Sequence, residues 1–305
     1  MAKQTLRVGY LPIVDHLILG ITKNRQGTLQ DVELELEKKL GWNEIGDDLK
    51  AGKIDLAFML IPYAMDVYYS EKNIKLLLLS HRDGSIIVTN KRANVTSLQD
   101  FRHKTVLIPY QASMHHILLH KHFASAGITV GIGNDVMTEV VAPGQIPQLI
   151  EYDEDGYIAG YIVAEPFGTQ VVNSGIGSII NISKDLMPGH PCCAVVARDE
   201  IVEKHPEAIQ ELITAFVEAG DSVYGKLDES VKIAMDFLGQ TEGVIRTILE
   251  DPKKRVSYDQ LMPKVAELEY MQDYLMDTVT TPSLSGKIDA AKFLDLRFAE
   301  KAGAK

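Results

Sequence analysis

The chain has only two cysteines and one tryptophan in 305 residues. The cysteines, Cys192 and Cys193, are adjacent, and neighbours on an extended strand point to opposite faces, which argues against a disulfide between them. No second cysteine pair completes a zinc site, so the two thiols read as core packing inside a buried strand spanning Pro191–Val196. No cluster of Lys and Arg occurs, and Asp plus Glu outnumber Lys plus Arg by 42 to 31 for a net charge of −11. That balance excludes nucleic acid as an expected partner. No apolar stretch approaches the roughly 18 residues that would suggest a membrane span. No Gly/Ser-rich or Pro-rich linker divides the chain, so a length beyond one ordinary core implies two lobes of one fold. Dinucleotide-type and Walker-type glycine loops, a Gly-x-Ser-x-Gly turn and paired histidines around a glutamate are all missing. The expectation is therefore a protein without cofactor and without evident enzymatic machinery. Met-Ala-Lys-Gln runs straight into a strand with no signal-peptide pattern, so either a cytoplasmic protein or one whose export signal is absent from this sequence is expected.

What is present is alternation. Short β-rich runs and helical patterns succeed one another: Leu6–Tyr10 and Asp15–Asn24, Val32–Leu36 and Glu44–Ala51, Ile54–Leu60 and Pro62–Ser70, then Ile74–Leu79. The rhythm resumes with Thr105–Ile108 and Ser113–Ala126, Asp135–Val140 and Gly144–Glu151, Tyr157–Val163 and Pro166–Asn173. Such order predicts an α/β protein of two doubly wound lobes with parallel sheets and a cleft between them. Asp15 is placed to cap the first helix, Gly52 to end the second, and Pro62 to open the third. Ser85–Asn90 and Cys193–Ala197 are the candidates for strands crossing between lobes. The boundaries expected are 1–88 with 196–305 for one lobe and 89–195 for the other. After residue 199 only helices are expected. The first carries Ile209, Leu212, Ile213, Phe216 and Val217 at helical spacing and ends at Gly220. Helices at Asp228–Leu238, Glu242–Leu249, Leu261–Met276 and Ala290–Glu300 pack back onto the first lobe.

Ligands of open α/β sheets bind beyond the carboxyl ends of the strands, where helix N-termini expose free N–H groups. That rule selects the loops Pro12–His16, Ile61–Tyr63, His81–Gly84, Tyr110–His116, Ala164–Phe167 and Gly189–His190. In the fourth, Ser113 caps the following helix, and Gln111, Ser113 and Met114 surround N–H groups suited to an anion. His16, His81, His115, His116 and His190, five of the nine histidines, gather at these loop ends. Each imidazole can donate to an oxyanion or ligate a metal. His116 and His120 share a helix face, so a metal held by Asp15 and cleft histidines stands as an alternative to an anion. Glu165 follows a strand directly and reads either as a ligand contact or as a charge capping the helix that Pro166 starts. Tyr10, Tyr63 and Tyr110 sit at strand ends as hydroxyl donors or flat walls, and Trp42 reads as packing near the lobe surface.

Taken together, Leu6-Arg7-Val8-Gly9-Tyr10-Leu11-Pro12, Leu49-Lys50-Ala51-Gly52-Lys53-Ile54-Asp55-Leu56-Ala57, Ala164-Glu165-Pro166-Phe167 and the stretch His190 to Phe216 resemble a known family. It is the nitrate/sulfonate/taurine/bicarbonate (NMT1/THI5-like) family of ABC substrate-binding proteins. The likeness covers about two-thirds of the chain. It implies a type II periplasmic-binding-protein fold that captures a small anionic solute by hinge closure and delivers it to an ABC permease. It further implies that Pro12–His16, Ile61–Tyr63, Gln111–His115 and Glu165 line the cleft, in a monomer working in the periplasm. The pairs Asp15-His16 and His115-His116 match no nitrate, sulfonate or bicarbonate pattern. The same fold hosts enzymes resembling thiamine-pyrimidine synthases and desulfinases, the alternative that Cys192-Cys193 beside His190 keeps open. A ligand-sensing module is the third reading.

Overall fold

A computed structural model describes residues 3–279 and 282–305 of the chain. Its strands are β1 (Gln4–Tyr10), β2 (Val32–Lys38), β3 (Leu56–Leu60), β4 (Ile74–Leu79), β5 (Arg82–Asp83), β6 (Ser85–Asn90), β7 (Thr105–Ile108), β8 (Met137–Val140), β9 (Ile158–Ala164), β10 (Gly177–Ile182), β11 (Cys193–Arg198) and β12 (Val256–Ser257). They form two five-stranded sheets, ordered β2-β1-β3-β11-β4 and β10-β6-β9-β7-β8, and β12 pairs with β5 between them. In the first sheet β1 runs parallel to β2 and β3, whereas β11 returns antiparallel between β3 and β4. The second repeats the scheme: β7 is parallel to β8 and β9, and β6 is antiparallel to β9 and β10. Each sheet is thus mixed where a parallel one was expected, because the chain re-enters each lobe from the opposite direction.

Burial follows from the side chains. All five residues of β3, Leu-Ala-Phe-Met-Leu, are buried, as a strand covered on both faces requires. Edge strand β2 alternates instead, with Val32 and Leu34 inside and Glu33 and Glu35 outside. The helix Pro206–Gly225 lays its apolar stripe, including Ile209, Leu212, Ile213 and Phe216, into the core. Its Glu211 carboxylate accepts N–H donors from Gln30, Asp31 and Val32 at 2.6, 2.8 and 3.1 Å, fastening the C-terminal region to the first lobe.

Some local expectations are corrected. Asp15 caps nothing: it lies in a 3-10 turn, Val14–His16, ahead of the helix Leu17–Asn24, whose N-cap is His16. Ser85–Asn90 and Cys193–Arg198 each stay inside one sheet, so neither strand crosses between lobes. The crossing is made by the segments around Arg82 and Pro191, which bridge one another antiparallel. The boundary expected at residues 88 and 89 falls within β6. Leu261 precedes its helix, which runs Val265–Asp273 and passes into a π turn at Tyr274–Thr278. Ala290–Glu300 is two short helices, Ala290–Phe293 and Arg297–Lys301, parted where Leu294 bridges Leu76 of β4. Trp42 opens its helix and is buried, not near the surface.

Gly220 does not end the long helix. It lies inside, where a Cβ would sit 2.3 Å from the Tyr258 carbonyl oxygen. The missing side chain lets backbone approach helix, a packing requirement and not a turn. Gly220→Val is expected to lower stability by about 1–3 kcal/mol through overpacking. Urea unfolding measures this, and an unchanged midpoint would show the contact to be slack.

Candidate functional site

Three segments converge where the lobes meet. The loop after β1 brings Asp15, the crossing segment after β4 brings His81, and the start of the returning strand brings Cys192 and Cys193. One ligand atom from each of these four residues lies within 4.8 Å of all the others, and all four are buried. Neither oxygen of Asp15 has a hydrogen-bond partner among the described residues, nor has Nδ1 of His81. Burying a carboxylate without donors is costly, so its position is imposed by the surrounding fold.

His81 carries a conflict in a single atom. Its Nε2 lies 3.1 Å from Asp15 Oδ2, and the Cys193 N–H also points to it at 3.3 Å. One nitrogen cannot accept from the amide and donate to the carboxylate together. Burial disfavours charge on His81, but the Asp15 carboxylate, with Cys192 assisting, carries its pKa the other way, up to about 10. Burial raises Asp15, against the pull of His81. A hydrogen bond from Cys193 lowers Cys192, whereas burial raises Cys193, leaving one thiol of the pair the easier to ionise.

Two more histidines belong to this region. His115 is fully buried with neither ring nitrogen partnered among the described residues, and His190 likewise has an unpartnered Nε2. Burial, with lesser electrostatic contributions from the neighbouring His190 and His81, brings His115 to about 3. Burial and His81 do the same for His190. Both are neutral imidazoles with free nitrogens beside a charged group. Gly84 walls the cluster at φ +94°, and a Cβ there would lie 2.7 Å from Asp15 Oδ1 and 3.1 Å from His81 Nδ1.

Most of the remaining expected residues have partners elsewhere, although His16 keeps a buried, unpartnered Nε2. His16 sets Nδ1 at 3.0 Å from the Leu11 carbonyl and packs its ring edge-on to Trp42 and Phe58. Tyr10 stacks on Phe237, and Pro12 is half-buried on the loop that follows. Ile61 gives its N–H to the Cys192 carbonyl at 3.0 Å. Tyr63 packs on Tyr110 and buries its hydroxyl against Gly46. Ser113 caps its helix as expected, accepting the His116 N–H at 3.1 Å, and Met114 is core. His116 Nδ1 lies 3.0 Å from the Gln111 carbonyl, and His120 Nδ1 lies 2.9 Å from the Tyr274 hydroxyl. A surface hollow lined by Gln111, His116, Val130, Thr138 and Ser283 contains none of the four clustered residues.

Glu165 takes its capping role. Its Oε2 accepts the Thr169 N–H at 2.9 Å, and its Oε1 accepts from Arg255 at 2.7 Å and from the Thr169 hydroxyl at 2.8 Å. Burial raises its pKa, opposed chiefly by the Arg255 charge. Arg255 was invisible to sequence reasoning, since nothing local marks a residue 90 positions away as the partner. The cysteines are free and buried in the core, as expected, but their place beside Asp15 and His81 was not foreseen. Cys192 precedes β11, so strand alternation does not govern it and both thiols reach the cluster.

The NMT1-like family pattern matches residues 1–235, and the chain belongs to that family. It is 29% identical over 239 residues to the nitrate import ATP-binding protein NrtC of Synechocystis. It is 27% identical over 235 residues to the nitrate/nitrite binding protein NrtA of Nostoc. These matches take in 72% and 70% of this chain but 35% and 52% of the relatives, so it spans about a third to a half of their length. Among solved structures, the ligand-binding component of an ABC-type import system from Staphylococcus aureus, with zinc bound, superposes with TM-score 0.85. It shares 25% identity, covering 98% of this chain and 99% of that one. The periplasmic nitrate-binding protein NrtA of Synechocystis gives TM-score 0.85 at 19% identity over 99% and 88% of the two chains. The expected periplasmic-binding-protein fold is thereby established.

Glu165→Gln would leave Arg255 with Asp251, 2.7 Å away, as its one carboxylate partner among the described residues. The expected loss of stability is real but below the roughly 3–5 kcal/mol of a stranded buried charge. Denaturant unfolding decides it: full stability would show that Glu165 is free to serve a ligand.

Proposed function

We propose that the protein is the substrate-binding component of an ABC importer. In this reading it captures a small solute between its lobes and presents the closed form to a permease, as a monomer outside the cytoplasmic membrane. The observation that carries it is the enclosed set of buried, unpartnered donors at the meeting of the two sheets. Such donors are expensive in the ligand-free chain and are satisfied when a ligand enters. Among the described residues, no helix is long and apolar enough to cross a membrane.

Hinge closure is supported by how the lobes touch. The Tyr110 hydroxyl donates to Asn43 Oδ1 at 2.9 Å, Lys121 donates to the Tyr270 hydroxyl at 2.9 Å, and Gln170 donates to Gln240 at 2.8 Å. These polar latches can open to water at little cost. The crossing segment is held more firmly: Arg82 donates to the carbonyls of Gly189, Gln260 and Met262 and pairs with Glu267. A fixed crossing with breakable latches is the arrangement a hinge needs.

The relatives differ in what they hold: nitrate or nitrite for NrtA, zinc in the Staphylococcus aureus structure. Ligand charge therefore has to be read from this chain's own side chains. The test is a thermal-unfolding panel of nitrate, bicarbonate, methanesulfonate and divalent metal salts, with solution scattering of whichever stabilises. At a hundredfold excess over Kd a cleft ligand adds about 2.7 kcal/mol. One panel member is expected to raise the midpoint and reduce the radius of gyration. Stabilisation by none would overturn the reading.

A further inference from the structure

We infer that the solute is a thiophilic divalent transition-metal ion, bound at the bottom of the cleft by Asp15, His81, Cys192 and Cys193. This rests on the importer reading and deepens it by naming the substrate class.

The donor set is the first argument. A carboxylate oxygen, an imidazole nitrogen and two sulfurs are the mixed hard and soft ligands that zinc and its neighbours take, and alkali and alkaline-earth ions do not favour thiolates. Spacing is the second. A tetrahedral ion with ligands at about 2.0–2.3 Å separates them by roughly 3.3–3.8 Å. The four donor atoms here lie within 4.8 Å of one another, a slightly expanded version of that cage. The space between them takes one ion and not an organic solute.

The surroundings supply a third, independent argument. Asp15 has the His81 ring beside one oxygen and no other donor among the described residues, and His115 and His190 keep unpartnered nitrogens, all of them buried. An oxyanion would need cations here, but both buried arginines among the described residues are committed, Arg82 to Glu267 and three carbonyls and Arg255 to Glu165 and Asp251, and His81 already faces the Asp15 carboxylate. At the centre stands a carboxylate, which repels an anion and holds a cation. Binding displaces thiol protons to solvent, so no oxidant or other reactant is required.

The test is a titration of chelator-treated, thiol-reduced full chain with Zn2+ in competition with a chromogenic chelator. One ion per chain is expected. Loss of a direct ligand in His81→Ala, Cys192→Ser or Cys193→Ser should weaken binding by more than the about 10–100-fold typical of outer-shell partners. With Co2+ as probe, the unsubstituted chain should show a thiolate-to-metal charge-transfer band that the double serine variant lacks. If a variant fails to fold, the Co2+ spectrum of the unsubstituted chain decides. No Zn2+ binding, undiminished binding by the serine variants, or a Co2+ spectrum without the thiolate band would each overturn the proposal. Stabilisation by nitrate or methanesulfonate without Zn2+ binding would sink the metal and leave the importer. Stabilisation by nothing would sink both.

Discussion

A carboxylate held in the protein interior with no donor of its own is the constraint around which this molecule is arranged. Asp15 is completely buried, with the His81 ring 3.1 Å from one of its oxygens. A group in that position is tolerated only where the rest of the fold fixes it. Here the fixing is done by backbone. Val14 gives its N–H to the Glu165 carbonyl at 2.8 Å, and the Val14 carbonyl accepts the Tyr258 hydroxyl at 2.8 Å. The turn that carries Asp15 is thus tied to the second lobe on one side and to the C-terminal region on the other.

The same economy governs the other side of the site. Glu165 looks from sequence like a residue facing a ligand, yet its charge is spent on Arg255 and on the helix it caps. That pairing locks the second sheet to the segment before β12, whose pairing with β5 lies beside His81. Asp83 adds to this bracing by accepting the Gly189 N–H at 2.7 Å. The charged residues of the interior therefore divide into those that hold the crossing rigid and the few that stay unpaired at its edge. The second group is where ligand chemistry can occur.

Much of this was legible in the sequence, for definite reasons. Periodicity placed strands such as Thr105–Ile108 and Ile74–Leu79, and the Ser113 cap was readable because capping is local chemistry. Asp15, His81, His115 and His190 were found by a topological rule, that ligands gather at the carboxyl ends of strands. Failures came where geometry depends on distant chain. Gly220 resembles a helix end until Tyr258 is seen against it. Cys192 and Cys193 obey strand alternation on paper, but the strand starts one residue too late for it. Tyr63 packs against Tyr110 and Gly46, and His116 turns Nδ1 to the Gln111 carbonyl, contacts that no single sequence reveals.

X-ray absorption at the zinc edge of the loaded protein is the most direct measure of whether the buried cluster is the binding site. The account predicts a low-coordinate shell with sulfur at about 2.3 Å and nitrogen or oxygen near 2.0 Å. A shell of nitrogen and oxygen alone would contradict it, because no metal site at Asp15 and His81 could then include the thiols beside them.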